Sequence, residues 1–199
     1  MEQELYQWTK QYIDKCCIVR NRAMPGKSPG STYSWMFYLR RGLFNPEFLS
    51  AVGQLFYYKM QREVGHLNFQ LAGLETAATP MLAGIPLVGR AMGIHTNAFV
   101  VRKERKQYGL ENWIEGIPCD LPTMIIDDLC NSSASMAKCR SVLQVHGIPV
   151  LPYAFSIVNK YNKQTHDVAR ETTDMYLPSD IKVLSLFTLD DFNLTNPSH

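Results

Sequence analysis

Hydrophobic residues recur at helical spacing in two stretches near the start of the chain. The first, about residues 3–17, fits one face of an amphipathic helix. The second begins at Asn45, which can act as its N-cap; Pro46 suits the first helical position, and Gly65 can end the helix. Between them, about residues 20–35 are rich in Pro, Gly and Ser and cannot form one regular element throughout.

From about residue 67 onward, stretches of strand character alternate with stretches of helical character. The predicted strands are 67–73, 96–102, 123–127, 149–158 and a last one within 180–192, and the predicted helices are 77–93 and 133–147. This alternation argues for right-handed crossovers and for a largely parallel sheet flanked by helices. We therefore predict one α/β domain over residues 1–199, with no internal repeat.

Composition and charge narrow the classes of function. The chain has 199 residues, of which 46% are hydrophobic and 19% charged, which suits a globular domain with a substantial core. Lys and Arg number 20 against 18 Asp and Glu, so the net charge favours neither nucleic acid nor an anionic membrane as an obligatory partner.

Neither a membrane span nor a disulfide framework is expected. No apolar run reaches the roughly 18–20 residues that a span requires, and the N-terminus lacks the order of a signal peptide. The cysteines show no CxxC pair and no zinc-like spacing; they are Cys16, Cys17, Cys119, Cys130 and Cys139. We predict a cytoplasmic protein whose cysteines are reduced.

Two adjacent acids lie at the end of the predicted strand of residues 123–127, and the small polar sequence NSSAS follows soon after them. Ligands of open parallel sheets bind at the carboxyl ends of the strands, which is where Asp127 and Asp128 are expected. Such a pair can accept hydrogen bonds from a diol or hold hydrated Mg²⁺, and a helix N-terminus after it can bind an anion. A plain surface turn with a helix cap fits the spacing equally well.

Three stretches resemble one enzyme family, the type I phosphoribosyltransferases. TMIIDDLCNSSAS, residues 123–135, resembles their phosphoribosyl pyrophosphate motif of four hydrophobic residues, two acids and a small polar loop. VVRKERKQYGLENWIEG, residues 100–116, is similar to the mobile catalytic loop of the orotate phosphoribosyltransferases. KSPGSTYSWMFYLR, residues 27–40, resembles the segment of those enzymes that contacts orotate, and residues 181–192 look like the family's last strand.

The resemblance covers nearly the whole chain in the family's order and implies the type I phosphoribosyltransferase fold. That fold has a mainly parallel central sheet flanked by helices, with a small N-terminal hood. Residues 1–44 would form the N-terminal helix and hood segment, and residues 45–199 the core. The implied reaction transfers phosphoribosyl from phosphoribosyl pyrophosphate to a nucleobase, with orotate favoured, and releases pyrophosphate with Mg²⁺ as cofactor.

The resemblance also assigns roles to residues. Asp127 and Asp128 would be catalytic, would hold the ribose hydroxyls, and are possible ligands of a Mg²⁺ held mainly by substrate oxygens. Lys106 matches the catalytic loop lysine. The other implied phosphoribosyl pyrophosphate contacts are Arg102, Lys103, Thr76, Ala77, Asn131, Ser132, Ser133, Ala134 and Ser135. The implied base contacts are Lys27, Met36, Phe37, Asn131 and Lys160.

The basic run at residues 102–106 has two interpretations. Four cations within five residues repel one another unless they are solvated or meet an anion such as pyrophosphate. A solvated loop is the usual case, but the acidic pair downstream favours the anion site. In the family this loop often crosses a dimer interface, so we predict a homodimer in which residues 102–113 reach the neighbouring subunit. For Thr76, an ordinary helix cap is the competing interpretation.

Several positions depart from the family pattern. Ser133 stands where Gly is usual, although a positive φ or a close approach to phosphate costs least for Gly. Asn159 and Lys160 replace an Asp-Arg pair, so the positive charge is kept but the bidentate fork is lost. Tyr38 replaces a common Asp. Two alternatives therefore stay open: a phosphoribosyltransferase for another base, and a non-catalytic sensor of phosphoribosyl pyrophosphate or a nucleotide.

Overall fold

The computed structural model describes residues 1–25, 32–105, 112–160 and 180–194. The helices are α1 (Glu2–Tyr12), α2 (Arg40–Leu43), α3 (Pro46–Glu63), α4 (Thr79–Ala91) and α5 (Ala134–Val145), with a π-helical turn at Ile13–Cys17 and a 3₁₀ turn at Leu189–Asp191. The strands are β1 (Ile18–Pro25), β2 (Thr32–Phe37), β3 (Gln70–Leu74), β4 (Ala98–Val101), β5 (Ile114–Glu115), β6 (Thr123–Cys130), β7 (Val150–Asn159) and β8 (Lys182–Thr188). Within these described ranges, no helix is both long and apolar enough to cross a bilayer.

The central sheet has six strands in the order β5-β4-β3-β6-β7-β8. All neighbouring pairs are parallel except β4 with β5. Strand β3 pairs with β4 on one side and with β6 on the other. The chain adds β4 and β5 on the first side of β3 and then adds β6, β7 and β8 on the second side, so the strand order changes direction between β3 and β6. The carboxyl ends of β3 and β6 therefore form the topological switch point, where ligands of such sheets bind.

Both faces of this sheet are covered, as the alternation of strands and helices predicts. Helices α3 and α4 bury Phe56 and Met81 in one core cluster together with Phe155 of β7. Helix α5 buries Met136 and Leu143 in a second cluster on the other face. The sheet is thus the middle layer of the domain.

Helix α3 has the ends that the sequence predicts. The side chain of Asn45 caps it by accepting a hydrogen bond from the Phe48 N–H at 2.9 Å. Pro46 is the first helical residue, and Gly65 follows the last turn with a φ of +81°. These local signals set where the helix begins and ends.

The hood segment contains an antiparallel hairpin of β1 and β2 that the sequence did not predict. Alternation along β2 buries Trp35 and Phe37, which are each 6% exposed, while Met36 is 45% exposed. The Phe37 ring lies edge-on to Trp35 and to Phe192, with centroids 5.9 and 5.3 Å away. The hairpin thereby packs against the end of the described chain.

The prediction that the strand ends at Asp127 is wrong. Strand β6 continues to Cys130, because Asp127, Leu129 and Cys130 keep their pairing with β7. Both acids therefore belong to the strand. All five cysteines are free, which agrees with the prediction of reduced thiols.

Candidate active site

The carboxyl groups of the acidic pair are largely withdrawn from solvent. Asp127 is 7% exposed and Asp128 is half-buried. Asp127 Oδ1 accepts a hydrogen bond from the Asp128 backbone N–H at 2.9 Å. Burial, and next the charge of Asp128, raise the pKa of Asp127 to about 7. Burial also raises the pKa of Asp128.

The charges of two cations from separate segments act on the pKa of this pair. The charge of Lys103, at the start of the predicted catalytic loop, lowers the pKa of Asp127 against the larger effect of burial. The charge of Arg40, the first residue of α2, does the same for Asp128. The sequence analysis assigned no role to Arg40, although it is the last residue of the segment 27–40 that resembles the orotate-contacting segment. Positive charge from two segments of the chain therefore reaches the acidic pair.

Of the small polar residues predicted to bind phosphate, residues 131–133 connect β6 to α5, and Ala134 and Ser135 begin α5. We call residues 131–135 the phosphate loop. Ser133 is the N-cap of α5 with φ +59° and ψ 4°, so it adopts the left-handed conformation that favours Gly. Its Oγ lies 3.3 Å from Cys130 Sγ. The first N–H groups of α5 have no carbonyl partner within the helix and can donate to an anion.

The turn from β3 to α4 lies beside the acidic pair, because β3 and β6 are neighbours. Ala78, not Thr76, is the N-cap of α4, so the interpretation of Thr76 as an ordinary helix cap is not supported. Thr76 is exposed and Ala77 half-buried, and the Glu75–Thr76 peptide bond is cis. The turn therefore leaves Thr76 accessible at the switch point.

Glu75 ties this turn to the start of the predicted catalytic loop, a role that the sequence analysis missed. Its Oε1 accepts a hydrogen bond from the Lys103 backbone N–H at 2.9 Å. Its Oε2 lies 3.9 Å from Arg102 Nη1, which also contacts Glu115 Oε1 at 3.2 Å. Arg102 is thus held by two carboxylates, whereas the side chain of Lys103 is exposed.

The predicted base contacts lie in different parts of the structure. Lys160 lies at the site, since its backbone N–H donates to Cys130 O at 2.8 Å and its Nζ is 4.8 Å from the centre of the Trp35 ring. Met36 is exposed on β2, and Phe37 lies on the opposite, buried face of that strand. Asn131 is exposed and directly follows β6. Lys27 lies outside the described residues, and so do Lys106, which was predicted as catalytic, and half of the predicted loop 102–113.

Comparison with known proteins agrees with this geometry. No family model matches the chain. The chain is 30% identical over 149 residues to the orotate phosphoribosyltransferase of Leptospira biflexa, over 73% of this chain and 77% of that protein. The chain belongs to the orotate phosphoribosyltransferase family. The orotate phosphoribosyltransferase of Methanocaldococcus jannaschii is 20% identical over 147 residues, 73% of this chain and 78% of that one.

Solved structures of family members share the fold. The orotate phosphoribosyltransferase of Mycobacterium tuberculosis, in complex with Fe(III) dicitrate, superposes with a TM-score of 0.75 at 19% identity over 96% of this chain and 99% of that one. The Aeropyrum pernix orotate phosphoribosyltransferase gives a TM-score of 0.66 at 22% identity, with 94% of both chains covered. The predicted type I phosphoribosyltransferase fold is confirmed.

Proposed function

We propose that the protein transfers phosphoribosyl from phosphoribosyl pyrophosphate to orotate and releases pyrophosphate. The observation that carries this proposal is the buried acidic pair at the switch point, followed at once by a phosphate loop at the N-terminus of α5. The activity for which the relatives are named supports the same reaction.

Binding and orientation supply most of the catalysis in such a reaction. Asp127 and Asp128 would accept hydrogen bonds from the ribose hydroxyls, and the phosphate loop would donate to the 5-phosphate. Lys103 would lie toward the pyrophosphate, whose departure leaves an oxocarbenium-like sugar. Lys106, predicted as catalytic, would join it when the loop closes and excludes water. No side chain has to act as a nucleophile.

The acidic pair suits a Mg²⁺ that is held mainly by the substrate. Among residues 1–25, 32–105, 112–160 and 180–194, no group of three or more His, Cys, Asp or Glu could hold a metal ion. Mg²⁺ commonly takes one or two carboxylates and completes its octahedron with phosphate oxygens and water. Bound there, it would neutralise charge on the leaving pyrophosphate.

The base, the assembly and the compartment are further parts of the proposal. Lys160 supplies a positive charge for the carboxylate of orotate, and Asn131 starts the loop beside it. We also propose a homodimer in which residues 102–113 reach the neighbouring subunit. A reducing compartment such as the cytoplasm agrees with the five free cysteines.

The test is an orotate-dependent assay of pyrophosphate release, together with calorimetric titration of phosphoribosyl pyrophosphate and Mg²⁺. We expect binding in the absence of base, and release only when orotate is added. Release with uracil or a purine base instead would establish a transferase for another base. Binding without release under any base would contradict catalysis and favour the sensor.

Replacement of Ser133 by Gly is expected to tighten binding of phosphoribosyl pyrophosphate. Without a Cβ, the backbone of Gly can approach phosphate closely. The relief of about 1 kcal/mol of strain at φ +59° acts on folding stability, because the strain is present without ligand. We expect KM for phosphoribosyl pyrophosphate to fall about three- to fivefold. Ser133→Ala is the matched control, because it removes the contact with Cys130 but keeps the Cβ. Equal tightening in both variants would contradict the backbone explanation.

Loss of the Glu75 carboxyl is expected to loosen the start of the catalytic loop. We expect Glu75→Ala to lower kcat/KM for phosphoribosyl pyrophosphate about tenfold, since the Lys103 N–H loses its acceptor. Glu75→Gln keeps an oxygen acceptor and should retain most activity. Steady-state kinetics of both variants check this, and unchanged kinetics in Glu75→Ala would show that the contact does not position the loop.

A further inference from the structure

Trp35 and Lys160 join the hood segment to the core at the active site. Lys160 Nζ lies over the Trp35 ring, 4.8 Å from its centre. Trp35 is 6% exposed, so the ring is a fixed part of the hood segment. Trp provides the strongest aromatic face for a cation, and the attraction grows when the pair is withdrawn from water. Trp35 was not among the residues predicted to contact the base.

The position of Lys160 suits the recognition of a base. Its backbone N–H bonds to Cys130, and Asn159 pairs with Cys130 across the sheet. On β6, Asp127 lies three residues before Cys130, roughly 10 Å away along the strand. Lys160 therefore lies at the same end of β6 as the acidic pair that is proposed to hold the ribose.

A lysine side chain by itself does not fix the position of its charged group in such a site. Its four-carbon stem has many rotamers, whereas a guanidinium is a rigid fork that is preorganised for a carboxylate. Contact with a buried indole face limits where the ammonium group can lie. The ammonium group of Lys160 is then held in place before the ligand binds, so less side-chain entropy is lost on binding.

We propose that Trp35 is a positioning residue that holds the Lys160 ammonium group so that the site prefers a pyrimidine carrying a carboxylate over the same pyrimidine without one. This inference rests on the proposed function. It makes a hood residue a determinant of base specificity through Lys160, without requiring contact between the indole and the base.

Orotidine 5′-monophosphate and uridine 5′-monophosphate test the inference, because they differ only in the carboxylate. Calorimetry measures both dissociation constants for the wild type, Trp35→Leu, Lys160→Met and the double variant. We expect the wild type to prefer the carboxylated nucleotide at least about tenfold, and Trp35→Leu to lose about fivefold of that preference. Affinity for uridine 5′-monophosphate should change less than about twofold, and Trp35→Leu should have no further effect in Lys160→Met.

A difluorinated tryptophan at position 35 distinguishes loss of the cation–π contact from a folding defect. It keeps the shape of the indole but weakens the negative charge of its face, so it should lower the preference in the same direction as Trp35→Leu. Trp8→Leu is the control for loss of a tryptophan, since Trp8 lies on α1 and is 38% exposed.

The outcomes separate this inference from the proposed function. A wild-type preference that survives both changes at Trp35, or an equal loss of affinity for both nucleotides, would overturn the role of Trp35 and leave the transferase intact. A wild type that does not prefer the carboxylated nucleotide would overturn orotate as the base, and with it the inference.

Discussion

Replacing Asp127 and Asp128 together by asparagine is expected to lower kcat/KM for phosphoribosyl pyrophosphate by about 10³-fold. Two charged acceptors for the ribose hydroxyls are lost, each worth about 1.5–3 kcal/mol. Calorimetry with Mg²⁺ should show a matching loss of binding. Asp120→Asn is the control, because Asp120 is exposed and precedes the start of β6. Binding and turnover at wild-type levels in the double variant would disprove the role of the pair.

The same double variant is expected to be more stable than the wild type at pH 8. The folded-state pKa of Asp127 is raised to about 7, above the value of about 3.9 in an unfolded chain. The stability that comes from keeping this carboxyl neutral is therefore present below about pH 4 and is lost as the pH rises through about 7. Asparagine does not ionise, so the variant avoids this loss.

Thermal unfolding without ligand and with a chelator measures the difference in stability between the double variant and the wild type. We expect a gain on the order of 2 kcal/mol at pH 8, or roughly 4–8 °C in Tm, and a smaller gain at pH 5. Other ionisable groups are the same in both proteins, so the informative quantity is the difference in stability between the two proteins. A gain that does not depend on pH would contradict burial as the cause.

Gly73→Ala is expected to destabilise the fold by about 3 kcal/mol, or roughly 6–12 °C in Tm. A Cβ at Gly73 would lie 2.6 Å from the carbonyl oxygen of Ile126 and would also collide with the Cβ of Ala78. Ile126 precedes the acidic pair and Ala78 caps α4, so the clash separates the two loops of the active site. Activity should fall together with stability, and thermal unfolding measures the first effect.

Gly147→Ala is the matched control for this substitution. Gly147 has a φ of +67°, but a Cβ added there would have no neighbouring atom within 4 Å, so only backbone strain of about 1 kcal/mol is expected. If Gly73→Ala costs no more than Gly147→Ala, then close packing between β3 and β6 is not what requires glycine at position 73.

The helices and strands of the core were predictable because local signals set them. Asn45, Pro46 and Gly65 define α3 through hydrogen bonding and backbone preference within a few residues. Buried parallel strands have runs of apolar residues, which the sequence shows before Asp127 and again before Asn159. Both kinds of signal are contained in the segment that forms the element.

Other elements depend on partners that lie far away in the sequence. Strand β5 has two residues and no periodicity of its own; it exists because it pairs with β4. The continuation of β6 through the acidic pair likewise depends on β7, since a chain segment with two adjacent acids and no partner strand resembles a turn. Periodicity cannot detect pairing of this kind.

By itself, the sequence determined the α/β class, the order of the core elements and the motifs that indicate phosphoribosyl transfer, because these follow from residue type and short-range spacing. Only the tertiary structure decided that Asp127 is buried with a raised pKa, that Glu75 holds Lys103, and that Trp35 lies against Lys160. Burial and contact between distant segments arise when the sheet and the hood segment pack together, and no local pattern encodes them.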